Sequence, residues 1–179
     1  MQAVRFVGVG RPAQINDVPK PSPGPGQVVI KVGGAGVCHS DLHVMEEDLG
    51  FKPPFTLGHE NAGWVSAVGE GVMGVKEGDA VAVYGPWGCG RCHACQLSME
   101  NYCENWASVD GFGGGLGLDG GMAEYMLADV RAAPPLQRSA GDTEQAQSIA
   151  KRNLSLKVKR PCCANRLFSG RSSGSQIAL

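Results

Sequence analysis

Residues 58–84 read GHENAGWVSAVGEGVMGVKEGDAVAVY. Within this stretch residues 61–68 and 80–84 are rich in valine and small or aromatic residues, and glycines bound both runs. Such runs predict two strands, with the turn residues of 69–78 between them. Working outward, residues 27–32 form a β-branched run, residues 3–7 alternate, and residues 122–128 make a last strand. Pro19, Pro21, Pro23 and Pro25 keep their segment extended and out of helix. Residues 40–46 predict a short helix with Ser40 or Asp41 as its cap. Residues 111–121 read as a loop, and there is no internal repeat. The pattern predicts a mainly β body, a barrel or a sandwich.

Composition supports that class. The 179 residues include 27 Gly, 42% are hydrophobic and only 6% are aromatic. A glycine-rich, aromatic-poor chain favours strands and tight turns over a helical bundle. The net charge of −1 gives no electrostatic case for a nucleic-acid or membrane partner. No apolar run approaches the roughly 20 residues of a spanning helix. The opening MQAVRFVGVG has no basic segment followed by an apolar block, so a cytoplasmic protein is expected.

The averages conceal a division. Residues 1–131 carry 8 Lys+Arg against 15 Asp+Glu, whereas residues 132–179 carry 8 against 2. The first part holds 24 of the 27 glycines and every His, Trp and Tyr. A domain over 1–131 is therefore expected, followed by a basic, irregular and disordered tail over 132–179, with 143–150 as its one weak helical pattern.

Cys89, Cys92, Cys95 and Cys103 give C-x2-C-x2-C-x7-C. Four thiolates this close can complete a tetrahedral zinc shell with no position left for substrate, and the surrounding polar stretch would make a poor core strand. A structural zinc lobe over about 86–106 is expected, with Gly88 and Gly90 turning the backbone and His93 on the surface. A nucleic-acid zinc ribbon fits less well, because such modules carry two separated knuckles and a basic face. A second group comprises Cys38, His39, Ser40, Asp41 and His43, with His59–Glu60 further on. Cysteine, histidine and carboxylate are zinc-compatible donors. On the residues alone, an ordinary buried cysteine and a satisfied loop histidine account for Cys38 and His59 about as well.

Four segments resemble the zinc-containing alcohol dehydrogenases of the medium-chain dehydrogenase family. They are Gly58-His59-Glu60-x2-Gly63-x5-Gly69-x2-Val72, GVCHSDLH at 36–43, PSPGPGQVVIKV at 21–32 and GDAVAVYGPWGCGRC at 78–92. The resemblance spans about residues 1–131 and is nearest to bacterial NAD-dependent enzymes for secondary or aromatic alcohols. It implies a GroES-like, partly open β-barrel with short helices and a structural-zinc lobe, and oxidation of an alcohol to an aldehyde or ketone with hydride transfer to NAD(P). It makes Cys38 and His59 ligands of a catalytic zinc, with Glu60 a carboxylate able to approach the metal. Ser40 takes the alcohol proton, His43 passes it towards solvent through the cofactor ribose, and Asp41 orients His59. His39 stands where the cofactor pyrophosphate is met, and Trp87 lines the substrate pocket. Family members form homo-oligomers, largely through a further domain.

Three stretches match G-x-G-x-x-G/A, at 8–13, 69–74 and 115–120. None is set between a strand and a helix as a dinucleotide site requires, so all three are expected to be turn glycines. Residues 132–179 do not resemble the family's cofactor domain, and the third zinc ligand would also lie beyond 131. Asp142, Cys162 and Cys163 are chemically able but unmatched in context. The chain is therefore expected to be an incomplete copy, with a frameshift as the cause and no activity alone. Competing readings are a non-enzymatic zinc-binding β module, a co-chaperonin and a quinone reductase. The last two leave the cysteine cluster and the Cys38–His59 pair unexplained.

Overall fold

The computed structural model describes residues 1–136. In chain order the elements are β1 (Gln2–Phe6), β2 (Gln14–Asp17), β3 (Gln27–Gly36), α1 (His39–Glu46), β4 (Phe55–Thr56), β5 (Glu60–Val68), β6 (Ala80–Val83), α2 (His93–Gln96), β7 (Gly113–Gly114), β8 (Gly117–Leu118) and β9 (Tyr125–Asp129). One antiparallel sheet has the order β6-β5-β3-β9 and a second has β2-β1-β4, while β7 and β8 form a small parallel pair. The second sheet joins the first just before β9, where Ala3 bridges Ala123 and the Val4 N–H donates to the Met122 carbonyl at 2.9 Å. The result is a partly open barrel, one of the two forms the strand pattern allows and the one the family resemblance implies.

Val28, Val29 and Ile30 of β3 are all fully buried, so the central strand is covered on both faces. Val28 and Ile30 meet Val65, Val81, Val83, Met126 and Ala128 in the main core. Phe6, Phe55, Leu57 and Val44 form a second cluster, with the Phe6 and Phe55 rings 5.1 Å apart. Val44 lies on α1, and its burial there seats the helix carrying Cys38 and Ser40. Ile30→Ala should cost about 2–5 kcal/mol through lost burial and a residual cavity, measured as a shift of the urea midpoint at unchanged slope.

The details depart from the sequence reading in several places. The helix starts earlier, with Cys38 rather than Ser40 or Asp41 at its N-cap; Asp41 is the third helical residue and reaches back to the Cys38 N–H at 2.9 Å. Strand β3 runs on through Gly33–Gly36, opposite Glu60–Ala62. The edge strand β2 and the two-residue strand β4 have no counterpart in the sequence reading, and the 111–121 segment expected as a loop holds β7 and β8. The body also continues past Arg131: Ala132 and Ala133 are buried, Tyr84 N–H donates to the Ala132 carbonyl at 2.7 Å, and Pro135 bridges Val81. Residues 137–179, with the 143–150 helical pattern, Asp142, Cys162 and Cys163, lie outside the described residues.

Candidate metal centres

Two elements converge on the first centre. Cys38 caps α1, and His59 and Glu60 lie at the entry of β5. Gly58 turns the chain there with φ +94°, a left-handed backbone that side chains rarely adopt. Its carbonyl accepts from the Gly121 N–H at 3.0 Å and from Asn61 Nδ2 at 2.9 Å, which fixes the turn. His59 precedes the strand, so the alternation that sends strand neighbours to opposite faces does not separate it from Glu60. Glu60 pairs with Gly36 across the sheet, and its side chain lies over that glycine, where a Cβ would stand 2.9 Å from the Glu60 Cβ. One donor atom from each of Cys38, His59 and Glu60 lies within 4.8 Å of the other two.

The surroundings fit a metal. Asp41 is 2% exposed, and its Oδ1 stands 3.4 Å from His59 Nδ1. That is a long contact, and neither buried atom has a hydrogen-bond partner among the described residues. A proton on Nδ1 facing this carboxylate leaves the Nε2 lone pair for an ion, the tautomer a metal ligand requires. Ser40 Oγ lies 3.6 Å from Cys38 Sγ, at the edge of the same group. His39 and His43 are exposed on α1, their rings edge to face at 4.9 Å, and His43 Nδ1 is 2.8 Å from Glu47 Oε1. Glu47 and Asn61 join the site through these contacts and belong to no sequence motif. Glu47 was detectable as an i+4 carboxylate from His43; no sequence signal marked Asn61.

The second centre is the four-cysteine lobe. Sulfurs of Cys89, Cys92, Cys95 and Cys103 lie within 4.8 Å of one another. The Cys92 N–H donates to Cys89 Sγ at 3.4 Å, and the Cys89 N–H to Cys103 Sγ at 3.3 Å. Asn105, which no sequence motif marks, donates its N–H to Cys103 and its Nδ2 to Cys89, each at 3.4 Å. The Asn105 amide, with backbone donors, lowers the Cys89 thiol to about 5, whereas burial pushes Cys95 up to about 12. Four sulfurs held this closely can all ionise only with a cation among them, and the donor set suits a tetrahedral ion. Gly88 has φ +56°, and a Cβ there would stand 2.6 Å from Cys95 Sγ. Gly88→Ala should therefore cut occupancy of this lobe sharply, read as metal per chain after gel filtration. His93, at the start of α2, is exposed and outside the cluster.

Trp87 lines a cavity of about 400 Å³ with Tyr84, Pro86 and Glu100, a lining that excludes Cys38, His59 and Glu60. The three glycine motifs lie between β1 and β2, between β5 and β6, and across β8, each followed by a strand. Among the described residues no helix is long and apolar enough to cross a membrane.

Comparison with known proteins places these features. The family model of the alcohol dehydrogenase GroES-like domain matches residues 24–138. An NAD-dependent alcohol dehydrogenase of Sulfurisphaera tokodaii is 43% identical over 139 residues, covering 71% of this chain and 38% of the relative. The crystal structure of the alcohol dehydrogenase from Aeropyrum pernix superposes with a TM-score of 0.70 at 37% identity, over 84% of this chain and 43% of that one. A cobalt- and zinc-bound thermostable alcohol dehydrogenase from Pyrobaculum aerophilum gives 0.68 at 34% identity, over 78% and 42%. The chain thus spans about two fifths of the length of these relatives, 38% of the first. Fold, motif order and matched domain agree, and the chain belongs to the alcohol dehydrogenase GroES-like domain family, in the medium-chain dehydrogenases.

Proposed function

We propose that residues 1–136 form the metal-binding catalytic part of a zinc-dependent alcohol dehydrogenase that interconverts an alcohol with its aldehyde or ketone. The observation carrying this reading is the gathering of Cys38, His59 and Glu60 with Asp41 behind the histidine. In this reading Cys38, His59 and Glu60 hold a zinc ion, and the four cysteines of the lobe hold another. A zinc ion held by the first three would supply Lewis acidity towards an alcohol oxygen, and a nicotinamide cofactor would supply the hydride-accepting chemistry.

The chain's own residues do the rest. Asp41 keeps the Nδ1 proton of His59 and so presents Nε2. Ser40 Oγ, beside the Cys38 sulfur, receives the alcohol proton. His43 takes that proton at Nε2 and releases it to solvent, since its Nδ1 faces Glu47 and its ring is exposed. His39 offers its exposed imidazole to the anionic part of the cofactor. The 179 residues alone are proposed to bind metal without oxidising alcohol, because none of the three glycine motifs leads into a helix that could cradle a pyrophosphate.

Two measurements on the purified chain test this. Elemental analysis should give two zinc ions per chain, and incubation with NAD or NADP and a panel of primary, secondary and aromatic alcohols should produce no reduced cofactor. One zinc per chain contradicts the first centre. Turnover contradicts the inactivity of the isolated chain and leaves the metal assignment intact.

A further inference from the structure

We infer that Arg131 is the electrostatic clasp of the four-cysteine lobe, a barrel-borne cation that slows loss of the lobe's metal. The inference rests on the proposed occupancy of the lobe. A divalent ion among four thiolates leaves a centre with excess negative charge. Within 86–106 the other fixed charges are Arg91 against Glu100 and Glu104, so the lobe does not neutralise the centre itself. The donors already on the sulfurs are neutral amides of Cys89, Cys92 and Asn105.

Arg131 comes from the other side. It follows β9 in a short 3₁₀ turn, Val130–Ala132, on the barrel. Asp129 takes two of its nitrogens, Nε at 3.0 Å and Nη2 at 2.6 Å, in a bidentate grip that fixes the guanidinium plane. The remaining Nη1 faces the first turn of the lobe: it is the atom that a Cβ on Gly90 would strike. Gly90, one residue past the ligand Cys89, therefore leaves the space that admits the cation. Arg131 also lines the cleft between barrel and lobe, together with Trp87 and Glu100. The hydrogen bond to Asp129 holds the guanidinium pKa above its ordinary value.

The arrangement predicts a charge effect rather than a packing effect. The experiment uses the full chain carrying His59→Ala, so that only the lobe binds, loaded with Co(II). Loss of the thiolate-to-cobalt absorbance after addition of excess chelator gives the release rate. Arg131→Gln should release cobalt about tenfold faster, within the range for groups adjoining metal ligands, and Arg131→Lys should stay near the parent rate. In the parent, 1 M salt, where the Debye length is about 3 Å, should speed release towards the Arg131→Gln rate. That salt arm decides the matter if the glutamine variant fails to fold. Equal rates for parent and Arg131→Gln, equal damage from Lys and Gln, or no salt dependence would each overturn the inference. Absence of a four-thiolate cobalt spectrum in the parent would overturn the reading of the lobe as a metal centre, and the inference with it.

Discussion

Cys92→Ser should empty the four-cysteine lobe and unfold residues 86–106 while the barrel stays folded. The reason lies in what the lobe buries. Its closed interior consists of Cys92, Cys95 and Cys103, with only Cys89, Ala94 and Trp106 packed around them. Of its larger apolar side chains, Leu97 is 58% exposed and Tyr102 65%, Trp106 is half-buried against the cysteines, and Trp87 packs on the barrel core rather than on the lobe. Regular structure is limited to the four residues of α2 and two 3₁₀ turns, Glu100–Tyr102 and Trp106–Ser108. Hydrophobic burial on this scale cannot offset the ordering of some twenty residues, at about 1–2 kcal/mol each for the backbone alone. A structural zinc contributes about 10–16 kcal/mol of apparent binding free energy at pH 7, and in such sites binding is folding. Losing one thiolate from the closed shell therefore removes the main term that holds the segment.

The barrel has its own core around Val28, Ile30, Val65 and Met126, which contains no cysteine of the lobe. An amide spectrum of Cys92→Ser should accordingly lose dispersion over 86–106 and keep it over β3, β5, β6 and β9. A chelator strong enough to strip the parent should give the same pattern. A variant that keeps the lobe's resonances dispersed would show that packing alone holds the segment.

The contrast between lobe and barrel also explains what could be read from the residues alone. The valine-bearing strands β3, β5 and β6, and β9 with Met126 and Ala128, declare themselves because their side chains enter the core. Strand β2 does not, since all four of its residues are exposed and no alternation marks them. Gly33–Gly36 carries too little side chain to read as strand, yet those residues extend β3 to the register that sets Glu60 beside Cys38. Ala132 and Ala133 sit in an otherwise apolar-poor segment, and their burial comes from backbone pairing to β6 and its flank rather than from a hydrophobic pattern. The four-cysteine cluster was legible because four thiols at short spacing have few other uses, whereas Cys38 and His59 stood out only through the family resemblance. The residues that tune those donors were less legible. Asn105 and Arg131 are common residue types at unremarkable positions, and only three-dimensional proximity gives them meaning, Asn105 to the Cys89 sulfur and Arg131 to Gly90 beside Cys89.

Asp41 is the second residue whose change should have a large effect, and the sign of that effect depends on which atoms are exchanged. Its Oδ2 caps α1 through the Cys38 N–H, and its Oδ1 faces His59 Nδ1. His59→Ala and Cys38→Ala each remove a donor and should abolish the first centre outright. Asp41→Ala keeps all three donors but frees the imidazole, and should weaken metal binding there about 10–100-fold. It also loses the reciprocal cap, about 1 kcal/mol of helix stability. Asp41→Asn separates the two roles. If its oxygen keeps the Cys38 N–H, its amide nitrogen faces Nδ1 as a donor. Nδ1 must then accept, the ring proton moves to Nε2, and the atom meant for the metal is blocked. If the amide is reversed, two donors oppose each other at Cys38 and the cap fails. Asparagine should thus bind metal at the first centre at least as poorly as alanine, despite being closer in shape to aspartate. Metal titration with the lobe already filled measures this, and the thermal midpoint of each variant separates loss of the cap from loss of the ligand. An asparagine variant that binds like the parent would mean that Asp41 acts on α1 alone, and that His59 is oriented by the Gly58 turn without help from the carboxylate.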